Sequence, residues 1–189
     1  MDSLLTRISH CKLCESHLPL GAKPLLQTSS NAKILIAGQA PGRKAHQSGV
    51  PFDDASGDRL REWMGISREL FYDPEKIALL PMGFCYPGTG KSGDLPPRPE
   101  CEPAWRQQLL AELPHLSMTL VLGQYAQRYH FNDGRMSLTE RVKGWRNNWP
   151  NIVALPHPSP RNNIWLSKNP WFASELLPAL KQQVWAILL

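Results

Sequence analysis

Four cysteines constrain the fold of this chain more than any other feature, because they lie in two segments far apart in the sequence. Cys11 and Cys14 form a C-x2-C pair, whereas Cys85 and Cys101 flank a loop rich in Pro and Gly. A C-x2-C turn places two thiolates on one side of a metal ion or cluster, and the second pair would complete a four-thiolate set. Thiolates select zinc or an iron–sulfur cluster, and the spacing leaves both open. Two disulfides, or four unrelated buried cysteines, are the alternative.

Length and charge narrow the class of protein. The 189 residues are most simply one domain spanning 1–189, and a formal charge of +5 favours an anionic partner, nucleic acid first. The first ten residues have no apolar h-region, and no apolar run is long enough to span a bilayer. We therefore expect a monomeric, cytoplasmic protein with no membrane partner.

Short apolar runs alternate with segments of helical spacing along the chain. The runs predict strands at 33–37, 77–80, 119–122 and 152–155, and the spacing predicts helices at 58–66, 103–113, 124–130 and 175–188. This alternation predicts an α/β fold, a three-layer α/β/α sandwich around a short, mostly parallel four-stranded sheet. Ligands bind beyond the carboxyl ends of such strands, so the loops 38–42, 81–101 and 157–162 should converge on one cleft. The first loop lacks the Lys-Ser/Thr of a Walker sequence, which argues against a phosphotransferase.

Two of these loops resemble motifs of a known family. Gly-Gln-Ala-Pro-Gly at 38–42 and His-Pro-Ser-Pro-Arg-Asn at 157–162 resemble motifs one and two of the uracil-DNA glycosylase superfamily. The sequence Gly-Val-Pro-Phe at 49–52 resembles the segment that supplies a ring to stack on the flipped base. The four cysteines are similar in spacing to the ligands of the family-four enzymes, which carry a [4Fe–4S] cluster. The resemblance implies one glycosylase-like domain, with an iron–sulfur site formed by the N-terminal segment and the 85–101 loop.

The resemblance also implies roles for individual residues. Cleavage of an N-glycosidic bond leaves an anionic base, which preorganised donors can stabilise. His157 is expected to donate to the leaving base, and a backbone N–H of Gln39 or Ala40 to assist it. The Gln39 amide would help to hold the base, and Phe52 would stack on it.

Motif one carries no carboxylate to position the attacking water, because Ala40 stands where the family-one enzymes have their catalytic Asp. The nearby candidates are Asp53, Asp54 and Asp58, although Asp58 could instead cap a helix. Residues expected to face the DNA share basic or polar side chains close to the two motifs. They are Arg43, Lys44, Ser159, Arg161, Asn162 and Trp165.

Two departures bear on the substrate. Gln39 replaces the Glu usual in family four, and Pro81 replaces an Asn that reads the uracil edge four residues before the third cysteine. The resemblance implies a DNA glycosylase that removes uracil. Because no lysine stands at an obvious nucleophile position, we predict a monofunctional enzyme that leaves an abasic site. The alternatives are a glycosylase for hypoxanthine or xanthine, a catalytically poor nucleic-acid-binding homologue, and a zinc-binding structural module.

Overall fold

A computed structural model of the protein describes residues 1–131 and 136–189. The strands, in chain order, are β1 (Ile34–Ala37), β2 (Ile77–Leu79), β3 (Thr89–Gly90), β4 (Gly93–Asp94), β5 (Met118–Leu122) and β6 (Ile152–Leu155). Four of them form one parallel sheet in the order β2-β1-β5-β6, and β3 and β4 form a separate antiparallel hairpin. In the register of the sheet, Ile34 lies opposite both Ile77 and Met118. The parallel sheet confirms the fold class that the sequence predicts.

Helices cover both faces of this sheet. They are α1 (Asp2–Ser9), α2 (Arg43–Ser48), α3 (Ala55–Met64), α4 (Arg68–Phe71), α5 (Cys101–Ala111), α6 (Gly123–His130), α7 (Leu138–Lys143), α8 (Asn163–Lys168) and α9 (Leu177–Leu188). Short 3-10 turns cover Glu15–His17, Trp145–Asn148 and Pro160–Asn162, and a π-helical turn covers Phe172–Leu176. Within the described ranges, no helix has the length and apolar character needed to cross a bilayer.

Alternate residues of β1 enter different cores, because successive side chains of a strand point to opposite faces. Ile34 and Ile36 pack in a core that includes Leu60 of α3, whereas Leu35 packs in a second core with Leu109 of α5. All four residues of β1 are buried, which is typical of a central strand in a parallel sheet covered on both sides. The result is three layers, with the carboxyl ends of the strands leading into loops at one edge.

Helix boundaries differ from the sequence prediction where capping decides them. The helix expected to start at residue 58 begins at Ala55, because the Asp54 carboxylate accepts hydrogen bonds from two N–H groups of its first turn. The helix predicted from residue 103 begins at Cys101, which leaves Pro103 in the first turn as expected. The final helix, predicted from residue 175, begins as α9 at Leu177, because a π-helical turn covers the preceding residues Phe172–Leu176.

Candidate active site

A cleft of about 670 Å³ opens beyond the carboxyl ends of the parallel strands. A residue within two positions of the end of each strand contributes to its lining: Gly38 after β1, Pro81 after β2, Gln124 after β5 and His157 after β6. The hairpin adds Ser92, Gly93 and Asp94 to the same cleft. The three loops that the sequence singled out therefore meet at one site.

Side chains of both motifs hold the hairpin over this cleft. From motif one, Gln39 Nε2 donates a 2.9 Å hydrogen bond to the carbonyl oxygen of Leu95. From motif two, Arg161 Nη1 donates a 3.0 Å hydrogen bond to the carbonyl oxygen of Ser92. The Gln39 amide nitrogen, expected to hold the base, is thus engaged by the hairpin.

His157 is held in one orientation by its own loop. Its Nδ1 accepts a 3.2 Å hydrogen bond from the Ser159 N–H, and its carbonyl oxygen accepts a 2.6 Å hydrogen bond from Asn162 Nδ2. Burial lowers the pKa of His157 below its ordinary value, although the carboxylates of Asp54 and Asp94 act in the opposite direction. A neutral imidazole that accepts at Nδ1 carries its proton on Nε2, so Nε2–H remains as a donor.

Phe52 lines the cleft with an unusual backbone. Its φ of +58° lies in the left-handed region, which a residue with a bulky side chain seldom adopts unless its surroundings impose it. The ring packs edge-to-face on Phe71, with centroids 6.0 Å apart. A Cβ added to Gly38 would lie 3.3 Å from the ring, so Phe52 rests against the motif-one backbone.

Gly57 permits this conformation, and we predict that Gly57→Ala displaces Phe52. A Cβ at position 57 would clash with the Phe52 carbonyl group, whose backbone cannot move as a flexible side chain would. Gly to Ala inside a helix ordinarily stabilises by roughly 0.5–1 kcal/mol. At position 57 the clash should outweigh this gain, and we expect the free energy of unfolding to fall by about 1–3 kcal/mol.

Denaturant unfolding and fluorescence anisotropy with uracil-containing DNA would measure the effect of Gly57→Ala. Glu62→Ala, at an exposed position of the same helix, serves as the control. A Gly57→Ala protein as stable as the wild type, with unchanged DNA affinity, would contradict the proposed role of this glycine.

The three candidate carboxylates occupy different surroundings. Asp53 pairs with Arg68 at 2.8 Å, and this hydrogen bond lowers the pKa of its carboxyl group. Asp58 pairs with Arg61 at 2.6 Å. Neither is among the residues lining the cleft, whereas Asp54 lines it while capping α3 through Oδ1.

Most of the residues expected to face DNA surround the cleft. Arg43, Lys44, Ser159, Arg161 and Asn162 all line it. Trp165 does not: its Nε1–H donates a 2.8 Å hydrogen bond to Thr139 Oγ1, and its ring packs in the core that contains Phe172. Packing inside the fold accounts for the position of Trp165.

Two polar residues of the cleft are not among the site residues expected from the sequence. Asp94 comes from the hairpin, and Gln124 from the first turn of α6. Neither belongs to a motif, and the hairpin has strands of only two residues in a segment rich in Pro and Gly. Only the position of Gln124 just beyond a predicted strand could have indicated it.

The four cysteines also converge, as free thiols. Every pair among Cys11, Cys14, Cys85 and Cys101 lies close enough for electrostatic interaction. Burial raises the pKa of Cys85 to about 11 and that of Cys101 to about 12. Thiols with such a high pKa stay protonated at neutral pH unless a metal ion binds and displaces their protons. Their burial together is consistent with a metal site.

N–H groups point at two of these sulfur atoms. The Phe84 N–H donates to Cys101 Sγ and the Trp105 indole N–H donates to Cys11 Sγ, both at 3.4 Å. Among residues 1–131 and 136–189, however, no three His, Cys, Asp or Glu side chains are grouped so as to hold a metal ion. The chemistry of the donors fits thiolate ligation, and the protein atoms alone do not outline a compact ion site.

Comparison with known proteins decides the family. The model of the Uracil DNA glycosylase superfamily matches residues 26–181, most of the chain. The chain belongs to this superfamily. A Type-4 uracil-DNA glycosylase of Archaeoglobus fulgidus is 27% identical over 175 residues, covering 84% of this chain and 81% of the relative. The Type-4 enzyme of Thermotoga maritima is 25% identical over 167 residues, with the same shares covered.

A solved structure is also similar to this superfamily member. The NMR structure of a candidate uracil DNA glycosylase from Methanosarcina acetivorans superposes with a TM-score of 0.49 at 18% identity, covering 84% of this chain and 97% of the other. Membership of the superfamily makes the protein a DNA glycosylase, a hydrolase of N-glycosidic bonds, which confirms the enzyme class predicted from the sequence.

Proposed function

We propose that this glycosylase removes uracil from DNA by a monofunctional mechanism and leaves an abasic site. The observation that carries the proposal is the motif-two histidine in the cleft, oriented with Nδ1 as acceptor and Nε2–H as donor. The likeness to two Type-4 uracil-DNA glycosylases supports uracil as the base. Nε2–H would donate to the uracil oxygen on which negative charge develops as the glycosidic bond breaks.

Backbone donors of motif one would share this task. The N–H groups of Gln39 and Ala40 have no hydrogen-bond partner in the part of the chain that the structure describes. Both residues line the cleft with Phe52, whose ring offers a stacking face for the extruded base. Stacking contributes about 1–3 kcal/mol and offsets part of the few kcal/mol that base flipping costs.

The rim of the cleft is suited to the DNA backbone. Arg43 and Lys44, both exposed at the start of α2, would neutralise phosphates flanking the flipped nucleotide, and the Arg161 loop would contact the strand. Trp165 keeps its predicted contact with DNA only if its ring leaves the core. We expect binding that weakens steeply as salt concentration rises.

Cys11, Cys14, Cys85 and Cys101 would hold a [4Fe–4S] cluster, with a single zinc ion as the alternative. When bound, the cluster supplies a crosslink between the N-terminal segment and the 85–101 loop, and no step of hydrolysis needs an electron. The crosslink would also restrain one wall of the cleft. Pro81 lies just before Cys85, the hairpin lies between Cys85 and Cys101, and both line the cleft. We propose that residues 1–189 form a single glycosylase domain and that the protein acts as a monomer.

A panel of substrates tests the proposal. Intact protein in excess would be incubated with single- and double-stranded oligonucleotides carrying uracil, hypoxanthine, xanthine or mismatched thymine, and alkali would reveal abasic sites. We expect cleavage at uracil and no strand break before alkali. A protein–DNA adduct trapped by borohydride would contradict the monofunctional mechanism.

If the protein released hypoxanthine or xanthine and not uracil, its substrate would be a deaminated purine. Pro81, which lines the cleft without a side-chain amide to read a pyrimidine edge, is the feature that favours this second candidate. Tight binding of all substrates without base release would identify a nucleic-acid-binding homologue.

A further inference from the structure

The cleft contains carboxylates although motif one has none. Of the described residues that line it, Asp54 and Asp94 carry the carboxyl groups. Asp54 lies at the start of α3, and Asp94 ends β4 of the hairpin between Cys85 and Cys101. Both are close enough to His157 to act on its protonation. These two carboxylates are therefore the candidates in the cleft for binding the attacking water.

The Asp54 carboxylate already has a structural task. Its Oδ1 accepts hydrogen bonds of 2.9 Å from the N–H groups of both Ser56 and Gly57. These bonds satisfy donors of the first turn of α3, the helix that packs against Phe52 through Gly57. Asp54 thus fixes the helix and, through it, the stacking ring.

The Asp94 carboxylate is free of such a task and lies against motif one. A Cβ built on Gly42 would be 3.3 Å from Asp94 Oδ2 and 3.8 Å from Asp54 Oδ2, so both carboxylates lie beside the motif-one loop, with Asp94 the nearer. Oδ1 accepts only a long bond, 3.3 Å, from Thr89 Oγ1. Oδ2 has no hydrogen-bond partner within residues 1–131 and 136–189. The oxygen nearest motif one is therefore available to a water molecule.

Both motifs hold the backbone of the hairpin close to Asp94. Gln39 Nε2 donates to the Leu95 carbonyl, and Arg161 Nη1 donates to the Ser92 carbonyl, on either side of Asp94 in the sequence. Gly93 has φ of +141°, a backbone conformation that favours glycine, and the Arg161 guanidinium lies beside it. Both motifs thus position the residue that supplies the carboxylate.

We propose that Asp94 is a catalytic residue, the carboxylate that binds and deprotonates the attacking water; this role rests on the proposed glycosylase function. The water oxygen forms a bond to C1′ as the C1′–N bond breaks, and the bonding electron pair leaves with the base. The water proton passes to Asp94, while His157 Nε2–H stabilises the anionic base until it is protonated from solvent. The negative charge of Asp94 also stabilises the oxocarbenium-like sugar.

Single-turnover base release by Asp94→Asn, Asp54→Asn and Asp2→Asn tests this assignment. The three changes are chemically identical, and Asn at position 54 retains the ability to cap α3. We expect Asp94→Asn to slow release about 10²–10⁴-fold, the range of a lost general base, while affinity for DNA containing non-hydrolysable 2′-fluorodeoxyuridine stays unchanged. Asp2→Asn, at an exposed position of α1 that does not line the cleft, should release base at the wild-type rate. Formate should partly restore the rate of Asp94→Ala.

Each outcome of this experiment decides a different claim. If wild type releases base and Asp94→Asn does so at the same rate, the assignment of Asp94 is overturned and the proposed function stands. A loss confined to Asp54→Asn, with its α3 intact by circular dichroism, would transfer the role to Asp54. If wild type releases no base from any substrate, the proposed function fails and the role of Asp94 fails with it.

Discussion

His157→Ala should reduce the single-turnover rate of uracil release about 10²–10³-fold, as expected for removal of one preorganised donor to a developing anion. The ring is oriented by the Ser159 N–H at Nδ1, so the lost donor is Nε2–H. Binding of uracil-containing DNA should change little, because the donor acts mainly when charge develops on the base. Rapid-quench measurements with protein in excess would give the rate directly.

His115→Ala is the matched control for this change, because His115 is exposed and does not line the cleft. Its rate should equal that of the wild type. A His157→Ala protein that released uracil at the wild-type rate would contradict the assignment of the leaving-group donor.

The pH dependence provides a second test of His157. Burial lowers the pKa of its imidazole, so the neutral, Nε2-protonated form should persist at pH values where an ordinary His is half protonated, about 6.5. The folded state then takes up this proton less readily than the unfolded chain. The contribution of His157 to stability is therefore present above pH about 6.5 and is lost as pH falls from there towards the folded-state pKa. An NMR titration, assigned with His157→Ala, would measure this pKa; a value above 6.5 would contradict the proposed neutral form.

Cys101→Ser should abolish binding of the proposed cluster and reduce the stability of the protein. Cys101 is 8% exposed, begins α5 and accepts a hydrogen bond from the Phe84 N–H, so it ties the helix to the segment before Cys85. Metal binding free energy is folding free energy when the unfolded chain has no formed site. We expect a colourless protein whose Tm is lower by on the order of 10 °C, corresponding to a few kcal/mol for a chain of this size.

Iron, sulfide and zinc analysis, visible absorbance and thermal unfolding would test the effect of Cys101→Ser. Met82→Leu, a volume-conserving change at a buried position of the same region, should retain the metal and nearly all of the stability. A Cys101→Ser protein with wild-type Tm would contradict the structural role of the cluster. Zinc without iron in wild-type protein would establish the alternative metal.

A buried arginine shows how the cysteine region and the cleft are joined. Arg106, on the helix that begins at Cys101, is 2% exposed, and its Nη1 donates to the carbonyl oxygens of Leu80 and Pro81 at 2.6 and 3.2 Å. Its Nη2 lies 2.8 Å from His130 Nε2. Disturbing α5 at Cys101 should therefore be transmitted to the wall of the cleft at Pro81.

The local sequence predicted the parts of the fold that local physics determines. The four strands can be predicted because a parallel sheet covered on both faces selects continuous apolar runs. In β1, for example, all four side chains are buried. The motif loops could be placed because parallel strands deliver their carboxyl ends to one edge. The predicted start of α3 at residue 58 was wrong by three residues, because the Asp54 carboxylate caps the helix and the helix begins at Ala55.

The rest of the site depends on contacts between distant segments. Asp94 enters the cleft on a hairpin that Gln39 and Arg161 hold at Leu95 and Ser92, and no periodicity in residues 86–100 encodes these bonds. Trp165 resembles a DNA-facing residue in its polar loop, yet its ring packs with Phe172 on the next segment. Such positions follow from tertiary structure alone.

The most direct test of the central claim is to quantify free base by mass spectrometry after one turnover on a uracil-containing strand. Protein purified without chelators would be present in excess, and the DNA strand would be recovered from the same reaction. We expect one uracil released per strand, with the phosphodiester backbone unbroken. Tight, salt-sensitive binding with no uracil released would contradict the account and identify a protein that binds DNA without excising this base.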